Sequence, residues 1–276
     1  AAYRTIPYEI KSFAELGVPE IIAKIAEKPR GLCLVTGPTG SGKSTTLYAT
    51  LAEINTPDKT LISIEDPVEY ELDGIKQIQV NGAVGLTFAS GLRSILRSDP
   101  DVMMVGEIRD RETAQIAIES ALTGHLVLST LHTGDAPMAP ARLIEMGIEP
   151  FLIASGLTCV VGQRLVRRLC EDCKRPVEIP ADELRESGFD VDGPIEAHEP
   201  VGCVSCNGSG FAGRVGIYEV MEVSDRIRSL ILERAPGSAI AAAASDDGMR
   251  RLREDGLDKV RLGGTSVTEL LRVLGA

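Results

Sequence analysis

The residues Gly37-Pro38-Thr39-Gly40-Ser41-Gly42-Lys43-Ser44 carry the spacing G-x-x-x-x-G-K-[ST]. Glycines at such positions let backbone N–H groups turn inward around phosphate oxygens. A helix opening at the lysine adds the partial positive charge of its N-terminus. In a loop of this kind Lys43 reaches the β- and γ-phosphates, the Ser44 hydroxyl ligates Mg²⁺, and Thr45 extends the phosphate-binding stretch. A nucleoside triphosphate is the expected ligand. The guanine-reading sequence Asn-Lys-x-Asp is absent from the chain, which favours ATP over GTP.

Hydrolysis also needs carboxylates to hold Mg²⁺ and orient water. Two segments offer them: Ile64-Glu65-Asp66-Pro67, and Val105-Gly106-Glu107. Both follow short apolar runs that read as strands. In an open α/β sheet, ligands bind beyond the carboxyl ends of the strands, so both acids are expected beside the phosphate loop. His125 and His132 bracket a third such run, and His132, at its far end, is the candidate for sensing phosphate.

Four of the six cysteines form two pairs, Cys170-x-x-Cys173 and Cys203-x-x-Cys206, separated by 29 residues. Two-residue spacing lets both thiolates of a pair reach one tetrahedral ion, and two pairs close its coordination shell. Zinc is the expected metal, with no open position and no part in catalysis. Reduced thiols without metal, or a redox pair, are the other readings. Cys33 and Cys159 lie in apolar stretches and read as small buried hydrophobes.

These residues need a scaffold that sets them side by side. Leu32–Thr36, Leu61–Glu65, Val102–Gly106 and His125–Thr130 read as strands. Segments near 43–54, 87–98, 111–122 and 150–161 read as helices, with apolar sets such as Leu47, Leu51, Ile54 and Leu92, Ile95, Leu96. Alternation of this kind implies a parallel sheet flanked by helices. Pro137 suits the first turn of the helix that follows the histidine run, whereas Pro140 is expected to remove a donor there. The pattern breaks after Val166. Residues 167–214 are rich in Pro, Gly and acid, show little periodicity, and are expected to be weakly cored and pinned by metal. The tail is helical, with Ser266-x-x-Glu269 as a capping box. Gln163, Arg167 and Arg168, just before the first cysteines, form a basic run whose default reading is a solvated face.

Composition narrows the class further. The chain has 276 residues, 43% of them hydrophobic and 25% charged, ordinary for a soluble protein with one or two domains. No apolar run approaches the roughly 20 residues that span a bilayer. The start, Ala1-Ala2 without Met, reads as a piece of a longer protein. Net charge is −11, but residues 171–200 hold ten Asp or Glu against three Lys or Arg. The remaining chain is close to neutral and free to bind an anion. With no Trp and few aromatics, nucleic acid is not an expected partner.

The segment LRSDPDVMMVGEIRD at 96–110 resembles the signature of type II secretion and type IV pilus assembly ATPases. The phosphate loop GPTGSGKSTTLYA, the acidic box ISIEDPVEY and the histidine box TGHLVLSTLHTGDA are similar to that family's other boxes, in the same order. The resemblance covers residues 20–276. It implies an α/β fold: a RecA-like P-loop core at 18–166, a Cys₄ zinc-binding insert at 167–214 and a small helical C-terminal subdomain at 215–276. Residues 1–17 would be the remnant of an N-terminal domain or linker. It further implies a homohexameric, Mg²⁺-dependent ATPase acting on an inner-membrane platform protein at the cytoplasmic face of a bacterial inner membrane. Membrane association would run through partners alone.

Carried over residue by residue, Lys43 and Ser44 take the phosphate-loop roles, and Glu107 coordinates Mg²⁺ or water. Glu65 is the candidate general base and His132 the γ-phosphate contact. Two departures stand out. Gly134 replaces the family's usual Asn, and of the N-terminal region that supplies arginines to a neighbour's site only Tyr3–Pro7 could remain. Pilus assembly and type II secretion share every motif. A retraction motor is a nearer rival, favoured by the entry Arg4-Thr5-Ile6-Pro7 and opposed by the cysteines, which such motors generally lack. A non-hydrolysing nucleotide- and zinc-binding module is the alternative from another class.

Overall fold

The computed structural model describes residues 11–275, so Tyr3–Pro7 lie outside the described residues. The chain folds as two compact units. Of the described residues, the first comprises 11–39, 43–162 and 220–249. The second comprises 40–42, 163–219 and 250–275. The stretch 215–276, read from sequence as one helical subdomain, is therefore shared between the two.

In the first unit two short helices, α1 (Phe13–Leu16) and α2 (Glu20–Ala26), precede β1 (Gly31–Thr36). Then come α3 (Lys43–Ile54), β2 (Leu61–Glu65), β3 (Lys76–Gln79), α4 (Phe88–Ile95), β4 (Val102–Val105), α5 (Arg111–Leu122) and β5 (Leu126–Leu131). Next are α6 (Ala139–Glu145), α7 (Pro150–Gly156) and β6 (Leu157–Leu169), the last continuing into the second unit. Strands β3, β2, β4, β5, β1 and β6 lie in that order, and each neighbouring pair runs parallel. Strands β1, β2, β4 and β5 are buried at every position. This is the consequence of helices α3, α4 and α5 packing on the sheet.

Helix ends follow local chemistry. Thr87 and Ser90 form a reciprocal capping box on α4, and Asp110 accepts the Thr113 N–H at 2.8 Å to cap α5. The helix expected over 87–98 stops being α-helical at Ile95 and ends in a 3₁₀ turn. Asp99 then takes a left-handed conformation, φ 49°, ahead of Pro100, whose ring disfavours continued helix. Pro140 falls in the first turn of α6, where the N–H has no intrahelical acceptor, so no donor is lost.

The helix expected over 150–161 ends at Gly156. Residues 157–161 are instead the start of β6, pairing with β1. A short, largely apolar run reads equally as buried helix or buried strand, and here the sheet claims it. Gly156 permits close packing at this junction, since a Cβ there would sit 3.2 Å from Ile118 Cγ2. Cys33 and Cys159 are adjacent across β1 and β6 and buried as expected. Burial pushes the Cys33 thiol up to about 11 and holds the Cys159 thiol well above the ordinary thiol value.

The second unit takes the remainder of β6, then β7 (Arg175–Ile179), α8 (Ala181–Glu186), β8 (Ile195–Glu199) and most of β9 (Phe211–Glu222), which lies beside β6 at the end of the sheet order. Helices α9 (Asp225–Leu232) and α10 (Gly237–Asp246) return to the first unit, where Ile227, Ile231 and Ile240 join its core. Helices α11 (Leu252–Arg261) and α12 (Val267–Leu274) complete the second. Strands β7 and β8 form an antiparallel ladder pairing Arg175 with Glu199 and Ile179 with Ile195. The acidic stretch is not weakly cored. Leu184, Phe189, Val191, Ile195 and Ala197 are buried together with Val166, Ile217 and Leu270. Its apolar residues are sparse and split between short elements, which hides their shared face from a periodicity reading.

Ser266 caps α12 by accepting the Glu269 N–H at 3.2 Å. The Glu269 carboxylate does not complete the expected box. It accepts the Arg167 backbone N–H at 2.9 Å, the Arg167 guanidinium at 2.9 and 2.7 Å, and Arg272 at 2.7 and 2.6 Å. Arg167, assigned from sequence to a solvated face, thus anchors β6 to α12 and stacks its guanidinium 4.0 Å from the centre of the Phe211 ring.

Burial opposes ionisation of Glu269, but the hydrogen bonds from Arg272 and Arg167 win and hold its carboxyl down to about 2. The folded value lies below the ordinary 4.5, so this contribution to stability is complete above pH 4.5 and is lost as pH falls towards 2. Glu269→Gln is expected to cost about 2–4 kcal/mol at pH 7. In urea unfolding, the gap between wild type and variant should shrink at pH 3. A gap independent of pH would show that the ion cluster contributes nothing through its charge.

Candidate functional site

Because β2, β4, β5 and β1 are successive parallel neighbours, their carboxyl ends share one edge of the sheet. The phosphate loop leaves β1 at that edge, Glu65 closes β2, Glu107 follows β4 by two residues and His132 follows β5 directly. His125 stands at the opposite end of β5, where its Nδ1 lies 3.0 Å from the Ser120 carbonyl oxygen at the end of α5. Of the two histidines that bracket β5, His132 is the one on the edge of the phosphate loop.

In the loop, Gly40 and Gly42 have φ of 79° and 88°, a region that side chains other than glycine enter at a cost. A Cβ on Gly42 would also come within 2.9 Å of Gln163 Nε2. The buried Lys43 ammonium donates to the Gly37 and Pro38 carbonyl oxygens, each at 3.0 Å. Ser41 is 3% exposed, and its hydroxyl oxygen has no hydrogen-bond partner. Buried polar atoms are almost always partnered, so a hydroxyl left open in a loop of this spacing fits a site for an anion's oxygens. Ser44, at the start of α3, is exposed.

The two carboxylates differ sharply. Glu107 is half-buried. Its Oε1 lies 2.7 Å from His132 Nε2, and its Oε2 accepts from Arg109 Nε at 2.7 Å. Arg109 also lies 3.9 Å from Asp66. Burial opposes ionisation of Glu107, yet the hydrogen bond and charge of Arg109, with His132, hold the carboxyl below the usual carboxylate range. Glu107 is an anion presented at the sheet edge, suited to holding a cation or orienting water.

Glu65 is 4% exposed. It accepts from Tyr48 on α3, from Ser63 two residues earlier on β2, and from Gln77 on β3 at 3.1 Å. The Tyr48 hydroxyl also accepts the Glu69 N–H at 3.0 Å. Burial and the Glu65 carboxylate push the Tyr48 phenol well above its ordinary value, so it stays a donor. The structure brings Glu107 and His132 into contact and keeps Glu65 in a separate, fully satisfied pocket. Arg109 and Ser63 could have been found by the two-residue period of extended chain. Tyr48 and Gln77 carry no such signal.

In the second unit the ladder of β7 with β8 explains the metal-ligand geometry. Cys173 lies two residues before Arg175 and Cys203 four after Glu199, so the Arg175–Glu199 pair draws both cysteine pairs to one end of the ladder. All four Sγ atoms lie within 4.8 Å of one another. Three of the separations are 3.7, 3.8 and 3.9 Å. A zinc tetrahedron with 2.3 Å bonds has edges of about 3.8 Å. The Cys203 and Gly210 N–H groups both donate to Cys206 Sγ at 3.2 Å, and Gly202 N–H donates to Cys173 Sγ at 3.3 Å. Amides aimed at sulfur stabilise thiolates, and they pull Cys206 down to about 6 against the opposing effect of burial. The donor set therefore fits a closed, structural tetrathiolate ion.

A parallel sheet with a phosphate loop after β1 and acids after β2 and β4 defines a RecA-like P-loop domain. A profile described as type II/IV secretion system protein matches residues 10–272, and the chain belongs to that family. Type II secretion system protein E of Aeromonas hydrophila is 52% identical over 253 residues, 92% of this chain and 50% of the relative. The type IV pilus assembly ATPase PilB of Thermus thermophilus is 51% identical over 258 residues, 92% of this chain and 29% of that protein. Among solved structures, the pilus retraction motor PilT with bound ADP aligns with a TM-score of 0.75 at 29% identity, covering 98% of this chain and 68% of that one. The Legionella pneumophila ATPase DotB aligns at 0.70 and 26%, covering 97% and 66%. The chain spans about half the length of the secretion-protein relatives it matches.

Elemental analysis of protein purified without chelator is expected to give one zinc per chain. Replacing Cys173 and Cys203 together by serine should abolish it and lower the melting temperature. Full stability of that variant would remove any structural role for the ion.

Proposed function

We propose that this chain is the ATP-hydrolysing portion of a ring-forming motor that powers type IV pilus assembly or type II protein secretion. The observation that carries the reading is the common edge of β1, β2, β4 and β5, where the phosphate loop leaves β1 towards the buried Lys43 and Glu107 and His132 touch just past β4 and β5. Residues 37–45 bind the triphosphate through backbone N–H groups and Lys43. Ser44 holds Mg²⁺, assisted by Glu107. When bound, the ion neutralises charge developing on the phosphates. His132, hydrogen-bonded to Glu107, contacts the γ-phosphate side. Glu65 is the general-base candidate, and to accept a proton from water it must release at least one of its three donors.

The assembly is a homohexamer on an inner-membrane platform protein at the cytoplasmic face of the membrane. Relatives near 50% identity that carry assembly and secretion names support this over retraction, as does the tetracysteine cluster. No described helix is long and apolar enough to cross a membrane. Pilus retraction remains the second reading, on the likeness to PilT.

Steady-state phosphate release separates a motor from a non-hydrolysing module. Lys43→Ala should lower the rate at least about 100-fold, the scale expected when a principal charge on the phosphates is removed. Equal release by wild type and variant at high protein concentration would overturn the enzymatic reading.

A further inference from the structure

Strand β4 ends at Val105, paired with Ser129, so Glu107 sits beyond the regular ladder. It is nevertheless held in place. The Gly106 N–H donates to the Ile64 carbonyl oxygen at 2.8 Å. On the other side a single residue of β5 grips both flanks of Glu107. The Thr130 hydroxyl donates to the Gly106 carbonyl oxygen at 2.8 Å, and the Thr130 carbonyl oxygen accepts the Ile108 N–H at 3.0 Å. Thr130 is 3% exposed, and water competes poorly for these bonds. Just before it, the Ser129 hydroxyl bonds the Val105 carbonyl oxygen at 2.8 Å.

Side chains two residues apart on extended chain share a face. Thr130 and His132 therefore approach the same segment, one through the Gly106 carbonyl and the other through the Glu107 carboxylate, 2.7 Å from His132 Nε2. We infer that Thr130 is a positioning residue, whose buried hydroxyl clamps the 106–108 backbone to β5 and so sets the Glu107 carboxylate against His132. A buried hydroxyl is otherwise a poor choice near the end of a fully buried strand, where valine has the same shape and needs no partner. Without the hydroxyl, the carboxylate is free to move by the fraction of an ångström that matters to a reacting geometry.

The inference rests on Glu107 being an active-site carboxylate, so the test has one arm that needs no hydrolysis. The chain has three histidines, and the His132 ring ¹⁵N signals are identified by their loss in His132→Gln. In Thr130→Val those signals should shift while those of His125 and His198 stay in place. Thr130→Ser, which keeps the hydroxyl, should restore the wild-type positions. In phosphate release, Thr130→Val should lower kcat about tenfold with KM changed less than twofold, and Thr130→Ser should recover most of the loss. His132 signals unmoved in Thr130→Val, with the variant folded, overturn the positioning role. Shifted signals with unchanged, Lys43-dependent kcat overturn its catalytic consequence. If wild type shows no Lys43-dependent hydrolysis, the ATPase reading fails and the His132 signals alone decide whether Thr130 sets the contact.

Discussion

The polarity of the parallel sheet is the constraint on which the site depends. Parallel pairing forces the chain to cross back to the opposite edge between neighbouring strands, so every strand leaves the sheet in the same direction. Four chain segments separated by up to about a hundred residues thereby reach one edge. Glu65 at the end of β2, Glu107 and His132 one or two residues past β4 and β5, and the loop that leads from β1 to Lys43 all start from that edge. The cost is burial. Strands β1, β2, β4 and β5 expose nothing, so polar residues within them must find partners in the sheet. The Ser129 and Thr130 hydroxyls do so by bonding carbonyls of the β4 chain.

Two glutamates at the same edge occupy opposite environments. Glu65 points into a pocket where Tyr48, Ser63 and Gln77 meet its oxygens, while Glu107 reaches towards solvent between Arg109 and His132. The first is a fixed node that ties the helix of the phosphate loop to the acidic box. The second is an anion available to a cation. Desolvation and hydrogen bonding separate their chemistry more effectively than their positions along the strands do.

The second unit solves a different problem. Its acidic stretch carries much of the chain's net −11 charge, yet it encloses a small apolar core around Leu184 and Phe189. Two devices hold its ends: the β7–β8 ladder that gathers the cysteines, and Glu269 gripping Arg167 and Arg272. Each joins residues distant in sequence through strong, directional bonds, which a unit with little apolar area needs more than a large core does.

Local chemistry was legible wherever a pattern is self-contained. The phosphate loop, both cysteine pairs, β2, α3 and α5 could be read at their true positions because spacing, caps and period lie within a dozen residues. The same holds for the family, whose boxes are contiguous strings. Tertiary structure decided what those residues touch. The apolar run at 157–161 became strand because β1 offered it a partner, and Glu269 left its own cap because two guanidiniums compensate a buried carboxylate better than one backbone N–H. Sequence placed Glu65 and Glu107 at equivalent strand ends. Only packing could bury one among three donors and leave the other beside His132, since burial and partner geometry arise from contacts between segments that no local pattern encodes.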